Sequence, residues 1–157
     1  MDDISSTPPP TLADLVARGE PGQALRALTD ALTYAAGRAD ERIALLELRV
    51  GLLVRLGQLA RAEGDAQAML TLAARAHRGA YRVRALCALS LVQQQRGQPE
   101  AAFRSASEAA SCAARMREGD ERNRWITLAA QRRVAAAQRI SAAAPQAGAA
   151  GPPLPVG

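Results

Sequence analysis

The 157-residue sequence contains no lysine and few aromatic residues. All twenty basic residues are arginine, which is typical of a GC-rich bacterial genome because arginine and alanine codons are rich in G and C. Aromatic residues make up only 3% of the chain, whereas alanine is abundant, so any core must be built from small side chains. This composition favours packed helices over a β-sheet, which is richer in β-branched and aromatic residues.

Cysteine and long apolar runs are also scarce. Cys87 and Cys112 are too few for a disulfide framework and lack metal-ligand spacing, so we expect reduced, buried thiols. No stretch approaches the roughly 18 to 20 apolar residues that a membrane span needs. The opening "MDDISSTPPP" carries acids where a secretory signal carries positive charge. We therefore expect a cytoplasmic protein without a membrane span.

Charge is unevenly distributed along the chain. Residues 1–47 carry eight acids against four arginines, whereas residues 66–99 and 122–157 each carry five arginines and no acid. The net charge is +5 and the pI is about 10.5. The sequence therefore predicts an acidic end and a basic end.

One segment is nearly repeated. "RGEPGQALRALTDA" at 18–31 returns as "RGQPEAAFRSASEA" at 96–109, and "ADER" at 39–42 returns as "GDER" at 119–122. Gly57 lies between the two copies of the first segment, 40 residues before Gly97. These intervals indicate a structural unit of about 40 residues.

The repeat has a constant apolar pattern when it is aligned on Gly19, Gly57 and Gly97. Positions five, nine, twelve and sixteen residues after each glycine are apolar and mostly alanine. These positions are Ala24, Leu28, Ala31 and Ala35, then Ala62, Ala66, Met69 and Ala73, and then Ala102, Ala106, Ala109 and Ala113. A spacing of four, three and four places them on one helical face, so we predict a helix with a small-residue stripe after each glycine.

The fold predicted from these patterns is all-α, a solenoid of antiparallel helical hairpins. Helices are expected at about 10–18, 21–37, 40–56, 58–77, 80–96, 99–117 and 120–142. Asp40 and Asp120 are expected as N-caps, Pro21 and Pro99 fall in first turns, and the fourth helix is kept whole across Gly64. Residues 10–142 form one repeat domain, and segments 1–9 and 143–157, rich in proline or glycine, are expected to be disordered.

The segment "LCALSLVQQQRGQPEAAFRSASEAA" resembles the tetratricopeptide repeat (TPR). The residues at the expected positions are Leu86, Leu89, Gly97, Ala102 and Ala109. Three positions depart from the fuller pattern: Ser90, Gln93 and Ala106. The period of about 40 residues is similar to a longer bacterial variant of the family. The resemblance covers about 10–142 and implies a groove, lined by the first helix of each hairpin, that holds a protein or peptide.

The resemblance also implies which residues line the groove. From the second hairpin it gives Ala44, Glu47, Gly51, Val54 and Arg55; from the third Arg84, Cys87, Leu91, Gln94 and Gln95; and from the last helix Arg124, Thr127 and Gln131. Arg84 and Arg124 could contact carboxylates of a partner or be solvated helix-face arginines. Trp125 is predicted to pack against the last hairpin, with a role as a partner-binding anchor as the alternative.

No pattern typical of catalysis or of a cofactor is present. The sequence lacks a phosphate-binding glycine loop, a paired histidine helix and a nucleophile elbow, so we predict a protein without enzymatic activity, cofactor or metal. The leading hypothesis is an adaptor or regulatory scaffold that binds another protein or peptide. A secretion-type chaperone and binding of nucleic acid or an anionic surface are the alternatives, and nucleic acid is disfavoured because aromatic residues do not interleave the arginines. Incomplete capping of the helical ends makes a homodimer plausible.

Overall fold

A computed structural model describes residues 12–144 of the chain, and the backbone there is α-helical without a β-strand. The helices are α1 (Leu12–Ala17), α2 (Pro21–Tyr34), α3 (Ala39–Arg55), α4 (Leu59–Ala76), α5 (Gly79–Gln95), α6 (Pro99–Ala114) and α7 (Asp120–Ala143). The all-α prediction is confirmed. Of the segments predicted to be disordered, 1–9 and 143–157, residues 1–9 and 145–157 lie outside the described residues, whereas Ala143 is the last residue of α7 and Ala144 continues in a helical conformation. None of the helices between residues 12 and 144 combines the length and the apolar character that crossing a membrane requires.

The three glycines on which the repeat was aligned share one backbone conformation. Gly19, Gly57 and Gly97 have φ angles of +71°, +70° and +72°, in the left-handed region that favours glycine. In each case the next residue donates its amide to a carbonyl five residues earlier, as Gln98 N does to Gln93 O at 2.9 Å. This is the Schellman turn that ends a helix, and it separates α1 from α2, α3 from α4 and α5 from α6.

The small-residue stripe forms the contact between helices, as predicted. Eleven of its twelve positions are buried, and only Ala31 is partly exposed. Ala102, Ala106, Ala109 and Ala113 on α6 are all 0% exposed. Alanine at these positions lets neighbouring helices approach closely, and α6 packs on both α5 and α7.

Packing follows the order of the chain. Each helix packs on the next one, and in addition α3 packs on α5 and α5 on α7. No other pair of helices within residues 12–144 makes such a contact. The core is accordingly divided along the chain, and α5 contributes to two hydrophobic clusters, one shared with α3 and α4 and the other with α6 and α7.

The helix starts correct one prediction. Asp40 and Asp120 do not cap their helices: Arg38 and Gly119 are the N-cap residues, and neither provides a side-chain cap. Asp40 lies in the first turn of α3 and instead accepts hydrogen bonds from Arg78, at 3.0 Å, and from the Tyr81 hydroxyl. The Asp40 side chain, which the local sequence predicted to be a cap, therefore contacts residues that lie about 40 positions later in the chain. Gly64 lies inside α4, which is continuous as predicted.

Candidate partner-binding face

One face of α3, α5 and α7 repeats at the 40-residue interval. The positions follow the four, three and four spacing of a helical face, and each has a counterpart on the next helix. They are Ala44, Leu48, Gly51 and Arg55 on α3, Arg84, Ala88, Leu91 and Gln95 on α5, and Arg124, Leu128, Gln131 and Ala135 on α7. We call this set the α3–α5–α7 face. All of these residues except Ala88 are partly or fully exposed.

Contacts of Arg84, which lies on this face, connect the three helices. Arg84 of α5 donates from Nε to Glu47 Oε2 of α3 at 2.9 Å. The guanidinium carbon of Arg84 also lies 5.8 Å from the centre of the Trp125 ring of α7. Cation–π and ion-pair contacts therefore hold Arg84 from both sides. Arg84 therefore forms its contacts within the chain. The hypothesis that Arg84 and Arg124 both contact carboxylates of a partner does not account for these contacts.

The predicted site residues differ in their accessibility. Arg55, Gln95, Arg124 and Gln131 are exposed, and Leu91 is partly exposed. They come from all three helices of the face, so the positions that the resemblance implied include exposed polar side chains on each of α3, α5 and α7. Their role in binding a partner stays a prediction.

Gln94 and Cys87, both assigned to the groove by resemblance, are buried. Gln94 is only 8% exposed, and its backbone carbonyl accepts a hydrogen bond from Arg139 Nη1 of α7 at 3.2 Å. Cys87 is 3% exposed. The packing of α7 against α5 covers this side of α5, which a single-helix register does not reveal. Neither side chain is accessible to a partner in this structure.

The buried thiol of Cys87 has low reactivity. Burial raises its pKa to about 11, Arg132 lowers it and Glu47 raises it. The thiol is therefore neutral at physiological pH and is not a nucleophile. Both Cys87 and Cys112 are free and buried, and their burial is as expected.

Trp125 packs in the core between α5, α6 and α7, beside Ile126 and Leu128. Its ring is partly buried, as predicted, and its Nε1–H is buried with no acceptor among the described residues. Two arginine Nε atoms of α7, in Arg122 and Arg132, are buried in the same way.

Leu48, on the α3 part of the face, was not among the groove residues that the resemblance gave. It is 53% exposed. One turn later, a Cβ built on Gly51 would meet no atom within 4 Å, so no close packing requires this glycine. The signal was the four-residue spacing of Leu48 from Ala44, which places both on the face and not in the core.

Tertiary contacts neutralise the basic segment 66–99. Arg78 pairs with Asp40, Arg82 with Glu108, Arg84 with Glu47 and Arg96 with Glu63. The acids come from α3, α4 and α6, because antiparallel packing brings distant segments of the chain together. Four of the five arginines in this segment therefore have an acidic partner, which the distribution of charge along the sequence did not predict. In α7 only Arg122 has an acidic partner among the described residues, Glu118 at 3.6 Å.

No group of three or more histidine, cysteine, aspartate or glutamate side chains within residues 12–144 could hold a metal ion. An open cleft of about 610 Å³ lies where α5, α6 and α7 meet, and its lining includes both arginines and acids. Comparison with models of protein families, with characterised proteins and with solved structures found no match for this chain.

Proposed function

We propose that the chain is a TPR-like solenoid that acts as a non-enzymatic scaffold, binding a partner protein or peptide on the α3–α5–α7 face. The observation that carries the proposal is the packing order: α3 contacts α5 and α5 contacts α7, and no other helix within residues 12–144 covers their common face. Successive first helices of stacked hairpins have this relationship, which leaves one continuous face for a ligand.

The recurring turns support the solenoid. Three hairpin turns with the same left-handed glycine, each followed by a buried small-residue helix, are what repetition of one unit produces. The contacts between helices are limited to near neighbours along the chain, which is typical of repeat architectures.

The composition of the face supports a protein or peptide ligand. Apolar side chains such as Leu48 and Leu91 alternate with arginine and glutamine side chains, so that a partner could bury apolar area and form hydrogen bonds together. We place this activity in the cytoplasm, since free buried thiols suit a reducing compartment.

The test is loss of a partner from a variant that changes the face alone. The face variant combines Arg55→Ala, Gln95→Ala and Gln131→Ala, one exposed residue from each helix. The control variant combines Gln23→Ala, Gln67→Ala and Arg104→Ala, which are exposed on α2, α4 and α6 and remove the same side chains.

Affinity purification from the native host, followed by mass spectrometry, is carried out with wild type and both variants. We expect the wild type and the control variant to retain a common partner and the face variant to lose it, with equal helical circular dichroism for all three. Retention of every specific partner by the face variant contradicts the proposal.

A further inference from the structure

A cleft between α3 and α4 has a counterpart one repeat later. It has a volume of about 580 Å³, and among the described residues that line it only Arg42 of α3 and Arg75 of α4 are charged. The open cleft where α5, α6 and α7 meet is lined by Arg82 and Arg115, each 40 residues later in the sequence. The repeat thus forms a cleft with the same two arginines twice. We call the first of them the α3–α4 cleft.

The two clefts differ in their carboxylates. Arg82 pairs with Glu108 of α6, and the residue 40 positions before Glu108 is Ala68 of α4, which lines the α3–α4 cleft. Arg42 therefore has a methyl group at the position where its repeat counterpart has an acid. The later cleft is also lined by three acids of the α6–α7 junction, whereas no acid among the described residues lines the α3–α4 cleft.

The charge of the α3–α4 cleft is not neutralised from within the described part of the chain. Between residues 12 and 144, the side chains of Arg42 and Arg75 form no ion pair or hydrogen bond. Two positive charges in one cleft repel each other, and an anion bound between them offsets this repulsion.

The two acids that precede Arg42 in the sequence contact other arginines. Asp40 accepts a hydrogen bond from Arg78 at 3.0 Å, and Glu41 pairs with Arg38 at 2.7 Å. Neither acid lines the cleft. Their charges are consequently matched outside it, and the site keeps the charge of its two arginines.

We propose that the α3–α4 cleft binds a small-molecule carboxylate with an apolar body, its carboxylate group lying between Arg42 and Arg75. The chain shows the equivalent contact in its next repeat, where the Glu108 carboxylate accepts a hydrogen bond from Arg82. Guanidinium groups form directional, charge-assisted hydrogen bonds with a carboxylate. The volume of about 580 Å³ lies within the range of about 300–1,000 Å³ that is typical of small-molecule sites.

Most of the remaining lining is apolar. Leu72 of α4 and Ala39 of α3 are partly exposed there, and Ala68 is exposed. Thr71 also lines the cleft, but its hydroxyl donates to the Gln67 carbonyl within its own helix. The two guanidiniums therefore contact the charged end of a ligand, and the apolar wall packs against its body. A ligand without an apolar body would leave this wall in contact with water.

The α3–α4 cleft is separate from the α3–α5–α7 face. Arg42 precedes Ala44 of that face by two residues, which places the two positions about 160° apart around α3. Binding in the cleft is thus a second activity that does not depend on a partner at the face.

The test is an NMR titration of the full-length, isotope-labelled protein with phenylbutyrate as the probe. Phenylbutyramide has the same body without the charge, and acetate has the charge without the body. A terminally blocked glycine–glutamate–glycine tripeptide presents the same carboxylate as a protein side chain does.

Four variants locate the binding. Arg42→Gln removes one charge from the cleft, and Arg104→Gln is its control, because Arg104 is exposed on α6 and has no ion pair among the described residues. Ala68→Glu restores the acid that Glu108 provides one repeat later, and Ala68→Gln is its neutral control of equal size. Ala68 is exposed, so both of these substitutions preserve the core.

We expect phenylbutyrate to shift the amide signals of the cleft and to bind at least about tenfold more tightly than phenylbutyramide or acetate. Arg42→Gln should bind it at least about tenfold more weakly, as expected for loss of a charged hydrogen-bonded contact, and Arg104→Gln should bind it as the wild type does. Ala68→Glu should abolish binding and unfold at a higher temperature than Ala68→Gln, because its own carboxylate pairs with Arg42.

The inference is overturned by equal binding of phenylbutyrate and its amide, by equal binding to Arg42→Gln and Arg104→Gln, or by the absence of shifts in the cleft up to the solubility limit of the probe. Acetate that binds as tightly as phenylbutyrate would assign the cleft to simple anions. Tighter binding of the tripeptide would assign it to a side chain of another protein, and either result rejects the small-molecule ligand. None of these results affects the affinity purification described above, so the proposed function is tested separately.

Discussion

The Arg49 guanidinium of α3 and the Asp65 carboxylate of α4 form a two-point ion pair, with Nε to Oδ2 and Nη2 to Oδ1 both 2.7 Å. Their side chains are only 19% and 11% exposed. Arg49 also donates from Nη1 to Thr29 Oγ1 of α2 at 3.3 Å. One guanidinium therefore joins three consecutive helices.

Removing the acid from this pair should strongly destabilise the fold. Asp65→Ala leaves a largely buried guanidinium without compensation, and we expect the free energy of unfolding to fall by about 3 kcal/mol. Urea denaturation followed by circular dichroism measures it. Glu41→Ala is the control, because the Arg38–Glu41 pair is exposed and should contribute less than about 1 kcal/mol. Equal losses in the two variants would show that the Arg49–Asp65 pair is not a structural contact.

The same substitution should have opposite effects at two glycines. Gly97 has a φ of +72°, so Gly97→Ala should reduce the free energy of unfolding by about 1–2 kcal/mol. Gly64 lies within α4 with open space around its Cβ position, so Gly64→Ala should raise it by up to about 1 kcal/mol. Thermal unfolding gives both values side by side. A loss of stability at Gly64 would contradict the uninterrupted α4 helix.

Enlarging the alanine stripe should separate the helices. Ala66 is 0% exposed on α4, and Ala66→Leu should cost about 1–3 kcal/mol because the neighbouring helices cannot accommodate the extra atoms without shifting. Ala74→Leu on the same helix is exposed and should change the free energy of unfolding by less than about 0.5 kcal/mol. Chemical denaturation of the two variants compares them, and tolerance of leucine at Ala66 would count against close helix contacts there.

Stability should depend on the protonation of Cys87 at high pH. Burial raises the pKa of this thiol from 9.0 to about 11, so unfolding releases its proton between these values. The contribution of the neutral thiol is fully present below pH 9 and is lost as the pH rises to 11. Wild type should therefore lose about 2 kcal/mol more than Cys87→Ala over this range in urea titrations. Parallel pH profiles would show that the thiol is not desolvated.

Much of the local structure could be predicted from the sequence. Gly57 and Gly97 fix where helices end because only glycine adopts the left-handed turn without strain, and Pro99 fits the first turn of a helix. The stripe that includes Ala106 and Ala109 was predicted to be one helical face, and both residues are fully buried.

Capping could not be predicted in this way. Asp40 follows the local preference for an N-cap, yet the contact with Arg78 and Tyr81, about 40 residues later, decides its position. An N-cap is worth only about 1 kcal/mol, so hydrogen bonds from two other residues are of comparable size and offset it.

The site residues also include some whose exposure agrees with the prediction and some whose environment only the tertiary structure decided. The resemblance to the repeat family implied that Arg55, Gln95 and Gln131 line a groove, and all three are exposed in the structure. The burial of Gln94 depends on where α7 lies against α5, and the engagement of Arg84 depends on Glu47 and Trp125 from two other helices.

The sequence by itself determined the helices, their turns and the buried seam, because these follow from backbone preferences and periodicity within about 20 residues. Only the tertiary structure decided which arginines have an acidic partner. Arg84 and Arg124 are equivalent in the repeat, but ion pairs form between residues that are distant in the chain, and packing supplied an acid to Arg84 and none to Arg124 among the described residues.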